Sequence, residues 1–154
     1  MDVVNLAEAG SMLVHATSQV ERVTAIRALV LLEIGGNDLF AKTPPPEFER
    51  GLEVLLQRAQ APGRQLVMLE LPLPPFANEY GVVQRRLARK HGAILIPKRF
   101  FARVLAGDGN TTDGLHLSAK GHRKMAETIW RLLGNSLQAR PRSFGFPGPP
   151  TSAW

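Results

Sequence analysis

The sequence predicts an α/β fold, a three-layer α/β/α sandwich around a mostly parallel sheet. Short apolar runs alternate along the chain with longer segments whose apolar residues recur at helical spacing. Strands and helices in alternation form a parallel sheet with helices packed on its faces. With 154 residues, 44% of them hydrophobic, the chain has material for one domain with a buried core and too little for two.

Three apolar runs rich in leucine or β-branched residues are predicted to be buried strands. They are residues 28–34, 65–71 and 93–96. A fourth run, residues 3–6, is too short to assign as a strand by itself. Prolines directly follow the second run, and this is typical of a strand end.

Four segments are predicted helices, residues 13–27, 46–60, 78–91 and 118–133. Each has apolar residues on one face, and Ser118 is a plausible N-cap of the last. The apolar positions expected to face the sheet are Leu13, Ala16, Val20, Val23, Phe48, Leu52, Leu55, Leu56, Val82, Val83 and Leu87.

The composition limits the remaining structure and chemistry. Residues 1–137 form the predicted domain, and the Arg-, Pro- and Gly-rich residues 138–154 cannot bury a core and are expected to form a flexible tail. The chain has no cysteine, which excludes disulfides and thiolate metal sites. No apolar run approaches the roughly 20 residues of a membrane span. As written, the chain is expected to be soluble, although an export signal or anchor could lie upstream of Met1; the oligomeric state is open.

Ligands of an open parallel sheet bind at the carboxyl ends of its strands, and Gly35-Gly36-Asn37-Asp38 directly follows the first predicted strand. Glycines let a backbone approach a ligand, and the amide of Asn37 can donate a hydrogen bond to an oxyanion. The alternative is an ordinary turn in which Asn37 or Asp38 caps the next segment.

The sequence Asp113-Gly114-Leu115-His116 places an acid three residues before an imidazole, so that their side chains can meet in a turn. A carboxylate that accepts the Nδ1 proton leaves Nε2 free to act as a base. The alternative is an Asp that caps a turn and a His that only packs. Gly10 could offer its backbone N–H to the same pocket, or could be an ordinary turn residue.

Together these motifs resemble the SGNH/GDSL hydrolase family over residues 3 to about 133. Asn5 and Gly10 are similar to the family's second block, residues 35–38 to its G-x-N-D block, and residues 113–116 to its D-x-x-H block. The resemblance implies a flavodoxin-like SGNH hydrolase fold. It also implies that Asp113 and His116 are catalytic and that Asn37 and Gly10 form the oxyanion hole.

The family's first block, a Gly-Asp-Ser turn that carries the nucleophile, does not occur in this sequence. We expect that the chain is truncated before residue 5 and lacks the first strand. Ser11 is expected to begin a helix rather than to act as nucleophile. In the family the first strand lies inside the sheet, so residues 3–6 should pair irregularly with residues 28–34 or be poorly attached.

The resemblance implies a serine hydrolase that acts on a small-molecule ester or acylated substrate and needs no cofactor. The competing interpretation is a non-catalytic SGNH-like module that binds an acylated, glycan or polyanionic ligand.

The formal net charge of +6 would favour anionic ligands. Seven basic residues cluster in the second half of the chain; the alternatives are a surface for nucleic acid or anionic lipid and a solvated helical face. We interpret them as the solvated face and expect no nucleic-acid binding. They are Arg85, Arg86, Arg89, Lys90, Lys98, Arg99 and Arg103.

No metal is predicted, because the remaining histidines have no metal-site spacing. Glu33 and Glu70 lie inside apolar runs and therefore need partners; the candidates are Arg27, Arg64 and Lys98.

Overall fold

The computed structural model describes residues 2–74 and 77–138. Three strands and six helices are present within these residues. In chain order they are α1 (Leu13–Glu21), β1 (Ala28–Leu32), α2 (Gly36–Phe40), α3 (Pro45–Ala59), β2 (Arg64–Leu69), α4 (Asn78–Lys90), β3 (Ile94–Ile96), α5 (Lys98–Leu105) and α6 (Ala119–Gln138).

The strands form one parallel sheet in the order β1-β2-β3. Val30 of β1 lies beside Leu66 of β2, and Met68 of β2 lies beside Leu95 of β3. Successive side chains of a strand point to opposite faces, and helices pack on both faces of this sheet. The predicted α/β fold with a parallel sheet is therefore confirmed.

The larger core lies between the sheet and helices α1, α3 and α4. Phe48, Leu52, Leu55 and Leu56 of α3 are each 0% exposed, as their helical spacing predicted. The opposite face carries a smaller cluster, in which Phe100 of α5 and the α6 residues Ile129 and Leu133 pack against β2 and β3. The two faces of the sheet are thus unequally covered, and α3 lies at the centre of the thicker layer.

Helix α1 ends six residues earlier than predicted, at Glu21 instead of residue 27. The connector that follows is held from outside the helix, because the Arg64 guanidinium donates hydrogen bonds to the carbonyl oxygens of Val23 and Ala25. These contacts span about forty residues of sequence, and local spacing cannot reveal them. Strands β1 and β2 also end two residues earlier than their apolar runs suggested, whereas β3 ends at Ile96 as predicted.

Two helices were not predicted. Gly35-Gly36-Asn37-Asp38, for which an ordinary turn was the alternative interpretation, contains the start of the short helix α2, and α5 follows Pro97 within the basic cluster. The prediction that Val82 faces the sheet is wrong, because this side chain is 48% exposed while its neighbour Val83 is buried. Ser118 caps α6 as predicted, since its hydroxyl accepts the N–H of Gly121.

Residues 2–8 form no strand, and Val3 and Val4 are 81% and 76% exposed. This agrees with the expectation of a loosely attached segment. Within the described residues β1 pairs only with β2, so its other edge has no strand beside it. Arg22 nevertheless ties the segment to α1 through the Leu6 carbonyl and an ion pair with Glu8 at 2.6 Å.

Glu70 is buried beyond the carboxyl end of β2 and forms an ion pair with Arg85. It also accepts the backbone N–H of Lys98 at 3.0 Å. Of the candidate partners, Lys98 contacts Glu70 only through its backbone, and the charged partner, Arg85, was not among the candidates. Glu33 lies beyond the end of β1 with its side chain exposed.

Among the described helices, none combines the length and the apolar character needed to cross a membrane. The predicted tail, residues 138–154, lies outside the described residues except for Gln138, which ends α6.

Candidate active site

A tight loop before α6 brings Asp113 and His116 together. An isolated antiparallel bridge between Thr111 and Leu117 closes its base, and the N–H of Thr112 donates to the carbonyl of His116 at 2.9 Å. Gly114 has φ +86°, a left-handed conformation that glycine adopts without strain. Backbone hydrogen bonds therefore join the residues before Asp113 to those at and after His116.

The Asp113 carboxylate uses its two oxygens for different tasks. Oδ1 accepts the backbone N–H groups of Leu115 at 3.0 Å and His116 at 2.8 Å. Oδ2 lies 2.6 Å from Nδ1 of the His116 ring. This is the side-chain contact that the spacing predicted. It depends on four consecutive residues, with the carboxylate oriented by the backbone that it caps.

The backbone N–H of His116, its ring, and the N–H of Leu115 hold the pKa of Asp113 well below its usual range. An ionised carboxylate can only accept hydrogen bonds, so Nδ1 carries the hydrogen of the short contact. When the ring carries no second proton, Nε2 has a free lone pair. The side chains of His116 and Asp113 are 74% and 53% exposed, so solvent reaches the pair directly.

The turn after β1 depends on close packing. Gly35 has φ +107°, and a Cβ added to it would lie 2.8 Å from Cε2 of Phe48 and 3.2 Å from Cδ1 of Leu71. Both the backbone conformation and the space demand glycine here. The chain can thereby run from β1 into α2 against the largest side chains of the core, and Asn37 lies in the first turn of α2.

Asn37 is held by the amino-terminal segment. Its side-chain Nδ2 donates to the carbonyl oxygen of Ser11 at 2.9 Å. An amide nitrogen carries two hydrogens, and this contact uses one of them. The amide is therefore oriented by a backbone carbonyl and retains one N–H for another acceptor.

Gly10 lies in an exposed turn with φ +76°. Its backbone N–H makes no hydrogen bond to any residue in the described part of the chain. Ser11, next to it, is buried, and its hydroxyl accepts a hydrogen bond from Nε2 of Gln19 at 2.6 Å. The predicted start of the helix at Ser11 is off by one residue, because Met12 is the N-cap of α1.

The four predicted site residues thus fall into two groups. Asn37 and the segment next to Gly10 form one group, and Asp113 with His116 forms the other. Across residues 2–74 and 77–138, no hydrogen bond joins the two groups. Their convergence on one cleft stays a prediction.

Asp38 is a site-adjacent residue whose role the sequence did not reveal. Its carboxylate is buried and accepts the backbone N–H of Leu13, with N···O distances of 3.2 and 3.4 Å. The only signal in the sequence was its position after Asn37, which suggested a cap of the following segment. It binds the start of the preceding helix instead. No cluster of three or more potential metal ligands occurs in the part of the chain that the structure describes.

Comparison with known families identifies the chain. The model of the GDSL-like lipase/acylhydrolase family matches residues 1–124. This chain belongs to that family. The match covers α1 to the start of α6 and includes both groups of the candidate site.

A curated relative is the esterase TesA of Pseudomonas aeruginosa, with 29% identity over 117 residues. The match covers 69% of this chain and 55% of that protein, so this chain spans about half the length of the relative.

Solved structures of esterases share the fold. Esterase EstA from Pseudoalteromonas sp., inhibited by monoethylphosphonate, superposes with a TM-score of 0.69 at 18% identity, covering 84% of this chain and 75% of that one. A crystal structure of TesA gives 0.64 at 24% identity, with 79% and 69% covered. A mutant of esterase AlinE4 gives 0.60 at 22% identity, with 92% and 78% covered.

Proposed function

We propose that this chain is part of a serine hydrolase that cleaves an ester bond by acyl transfer. The observation that carries the proposal is the contact of 2.6 Å between Asp113 Oδ2 and His116 Nδ1. The carboxylate is held by two backbone N–H groups, so it orients the ring without being protonated itself. This is the acid–imidazole half of a Ser-His-Asp mechanism, and membership of a lipase/acylhydrolase family supports it.

In the proposed reaction, Nε2 of His116 removes the proton of a serine hydroxyl as its oxygen attacks the ester carbonyl. Collapse of the tetrahedral intermediate breaks the bond to the alcohol, which leaves with the proton from Nε2. Water then attacks the acyl-enzyme with His116 again as base, and the carboxylic acid leaves as the serine regains its proton. Asp113 stabilises the imidazolium formed in each half-reaction.

The Gly10 N–H and the second N–H of Asn37 are proposed as the donors to the oxyanion. Both are free of protein acceptors within the described residues. One such donor typically contributes about 3 to 4 kcal/mol to transition-state stabilisation. The proposal requires that these donors and His116 face one cleft.

The nucleophile is proposed to be a serine on a Gly-Asp-Ser segment of the family type, a motif that this sequence does not contain. Ser11 does not fit the role, because it is buried and its hydroxyl is bound to Gln19. The exposed face of His116 is where such a serine would lie. The inhibition of esterase EstA by monoethylphosphonate supports a site of this kind, because a phosphonate resembles a tetrahedral oxyanion.

A second candidate function is a non-catalytic module that binds an acylated, glycan or polyanionic ligand. One observation favours it: within the described residues no serine hydroxyl makes a hydrogen bond to the His116 ring. In that case the same N–H donors would bind a ligand without cleaving it.

The test compares hydrolysis of p-nitrophenyl acetate by the 154-residue chain and by a form extended at its amino terminus with a Gly-Asp-Ser strand and turn. We expect hydrolysis only by the extended form. In that form Asn37→Ala should lower kcat by about 100- to 1000-fold with little change in KM, and His116→Ala should lower it by at least about 1000-fold. His122→Ala is the matched control, since His122 is an exposed histidine six residues further along, and it should leave kcat unchanged.

A phosphonate ester separates the two candidate functions. An enzyme forms a covalent adduct that mass spectrometry detects on the Gly-Asp-Ser serine of the extended form. Reversible binding without hydrolysis by either form would support the binding module, and activity that survives His116→Ala would refute the proposed mechanism.

A further inference from the structure

Two consecutive residues of α2 hold the segment that follows Gly10. Asn37 donates from Nδ2 to the carbonyl of Ser11, and the Asp38 carboxylate accepts the N–H of Leu13. Each contact joins residues that are 25 or 26 positions apart in sequence, and the two bound residues, Ser11 and Leu13, are separated by one residue. They act as a two-point clamp between α2 and the start of α1.

The Asp38 side of the clamp is the buried side. Asp38 is 3% exposed, whereas the Asn37 side chain lies nearer the surface. Burial raises the pKa of the Asp38 carboxyl, and the N–H of Leu13 partly opposes this shift. Within the described residues Asp38 forms no ion pair, so backbone donors are what it binds. A buried carboxylate is costly unless it is well hydrogen-bonded. Packing alone therefore does not explain why an aspartate lies between α2 and the start of α1.

The clamp connects the two proposed oxyanion donors. Ser11 follows Gly10 directly, so fixing its carbonyl limits where the Gly10 N–H can lie, and that same carbonyl orients the Asn37 amide. Without the Asp38 contact, the Asn37 amide would be the one remaining link between α2 and this segment among these two contacts, and Ser11 would otherwise be held by Gln19 and by the Glu8 carbonyl. Oxyanion donors stabilise a transition state only when they are held in place before the reaction.

We propose that Asp38 is a positioning residue that fixes the Gly10 N–H and the Asn37 amide relative to each other. It touches no reacting atom and acts through Leu13 and the peptide between Ser11 and Gly10. The inference rests on the proposed function for its catalytic meaning, while the geometry that it predicts exists in the chain without any substrate.

The first test uses nuclear magnetic resonance on the full 154-residue chain, without activity. Asp38→Ala removes the acceptor, and Asp38→Asn keeps a carbonyl oxygen of the same reach. We expect the alanine variant to shift the Gly10 amide signal and to raise the exchange rate of the Asn37 side-chain amide by about tenfold or more. The asparagine variant should restore both signals toward those of the unaltered chain.

Gln84→Ala is the matched control. Gln84 is 0% exposed, and its Oε1 accepts the backbone N–H of Leu71 at 3.2 Å, the same kind of contact at the same distance. It should lower the melting temperature without moving the Gly10 and Asn37 signals. If Asp38→Ala does not fold, Asp38→Ser replaces it, because the shorter hydroxyl does not reach Leu13.

Unchanged Gly10 and Asn37 signals in the alanine or serine variant would overturn the inference, as would equal shifts in Gln84→Ala. In the ester-hydrolysing extended form, Asp38→Ala should lower kcat by at least about tenfold, raise KM little, and be rescued by Asp38→Asn. If no form hydrolyses esters, the proposed function fails while the resonance result still decides whether Asp38 positions the two donors.

Discussion

The two groups of the candidate site are built in opposite ways. The Asp113–His116 loop is exposed, and its hydrogen bonds join residues no more than six positions apart. The segments around Gly10 and Asn37 are held by contacts across 25 to 26 residues and rest on Phe48 of the core through Gly35. The geometry of the Asp113–His116 loop is fixed by its own turn, whereas the geometry of the segments around Gly10 and Asn37 depends on packing against the core.

Because of this difference, the two groups should respond to different kinds of substitution. Damage to the larger core should disturb the Gly10–Asn37 group and leave the acid–imidazole loop nearly intact until the chain unfolds. Substitutions in the loop should affect the charge of Asp113 and the ring of His116 with little cost in global stability.

Phe48→Ala should have the largest effect on stability. Phe48 is 0% exposed and packs edge to face against Tyr80 at a centroid distance of 4.7 Å. Its truncation should lower the free energy of unfolding by about 4 kcal/mol, as measured by urea denaturation. Leu115→Ala is the control in the loop, since Leu115 is 47% exposed, and should change stability by less than about 0.5 kcal/mol. Similar losses for the two variants would contradict the contrast.

Replacing the glycine of each turn by alanine should also cost more stability at Gly35, which packs against the core, than at Gly114 in the exposed loop. Gly35→Ala combines a left-handed backbone with a collision against Phe48 and should cost about 2 to 3 kcal/mol. Gly114→Ala should cost about 1 kcal/mol, because a Cβ there would have open space and only the left-handed backbone conformation is unfavourable. Gly36→Ala, with neither problem, should be neutral or slightly stabilising when melting temperatures are compared.

The smallest expected effect concerns the charge of Asp113. The largest cause of its lowered pKa is the backbone N–H of His116, which remains in His116→Ala. A carbon-13 titration of the carboxyl should therefore still find the pKa of Asp113 below its ordinary value in that variant. A return to the ordinary value would assign the shift to the ring instead.

The same shift sets the pH dependence of stability. A carboxyl whose pKa is lowered by folding stabilises the folded chain above its unfolded pKa and loses that contribution as the pH falls through the folded pKa. Asp113→Asn should thus be less stable than the unaltered chain at neutral pH, and the difference should shrink below about pH 4. Thermal melts at several pH values provide the measurement, and a gap that widens in acid would contradict the sign.

The fold class and the larger core could be predicted from the sequence, because spacing alone placed Phe48, Leu52, Leu55 and Leu56 on one buried face. The contact between Asp113 and His116 was also predictable, since it lies within one turn. The family model and the esterase folds agree with the motifs from which the resemblance was drawn. The meeting of Gly10, Asn37 and His116 at one cleft is still a prediction.

The errors have a common cause. The connector after α1 is bound by Arg64, which lies 43 residues after Glu21, and the exposure of Val82 depends on which elements cover α4. Helices α2 and α5 begin where a packed glycine and Pro97 redirect the chain, not where apolar spacing begins.

By itself the sequence determined the alternation of strands and helices, the buried face of α3, and the turn that joins Asp113 to His116, because each depends on residues close together along the chain. Tertiary structure alone decided that Asn37 binds Ser11, that Asp38 binds Leu13, and that Glu70 binds Arg85. The reason is physical. A buried polar group takes whichever partner the fold brings within about 3 Å, and that choice is made only when distant segments pack together.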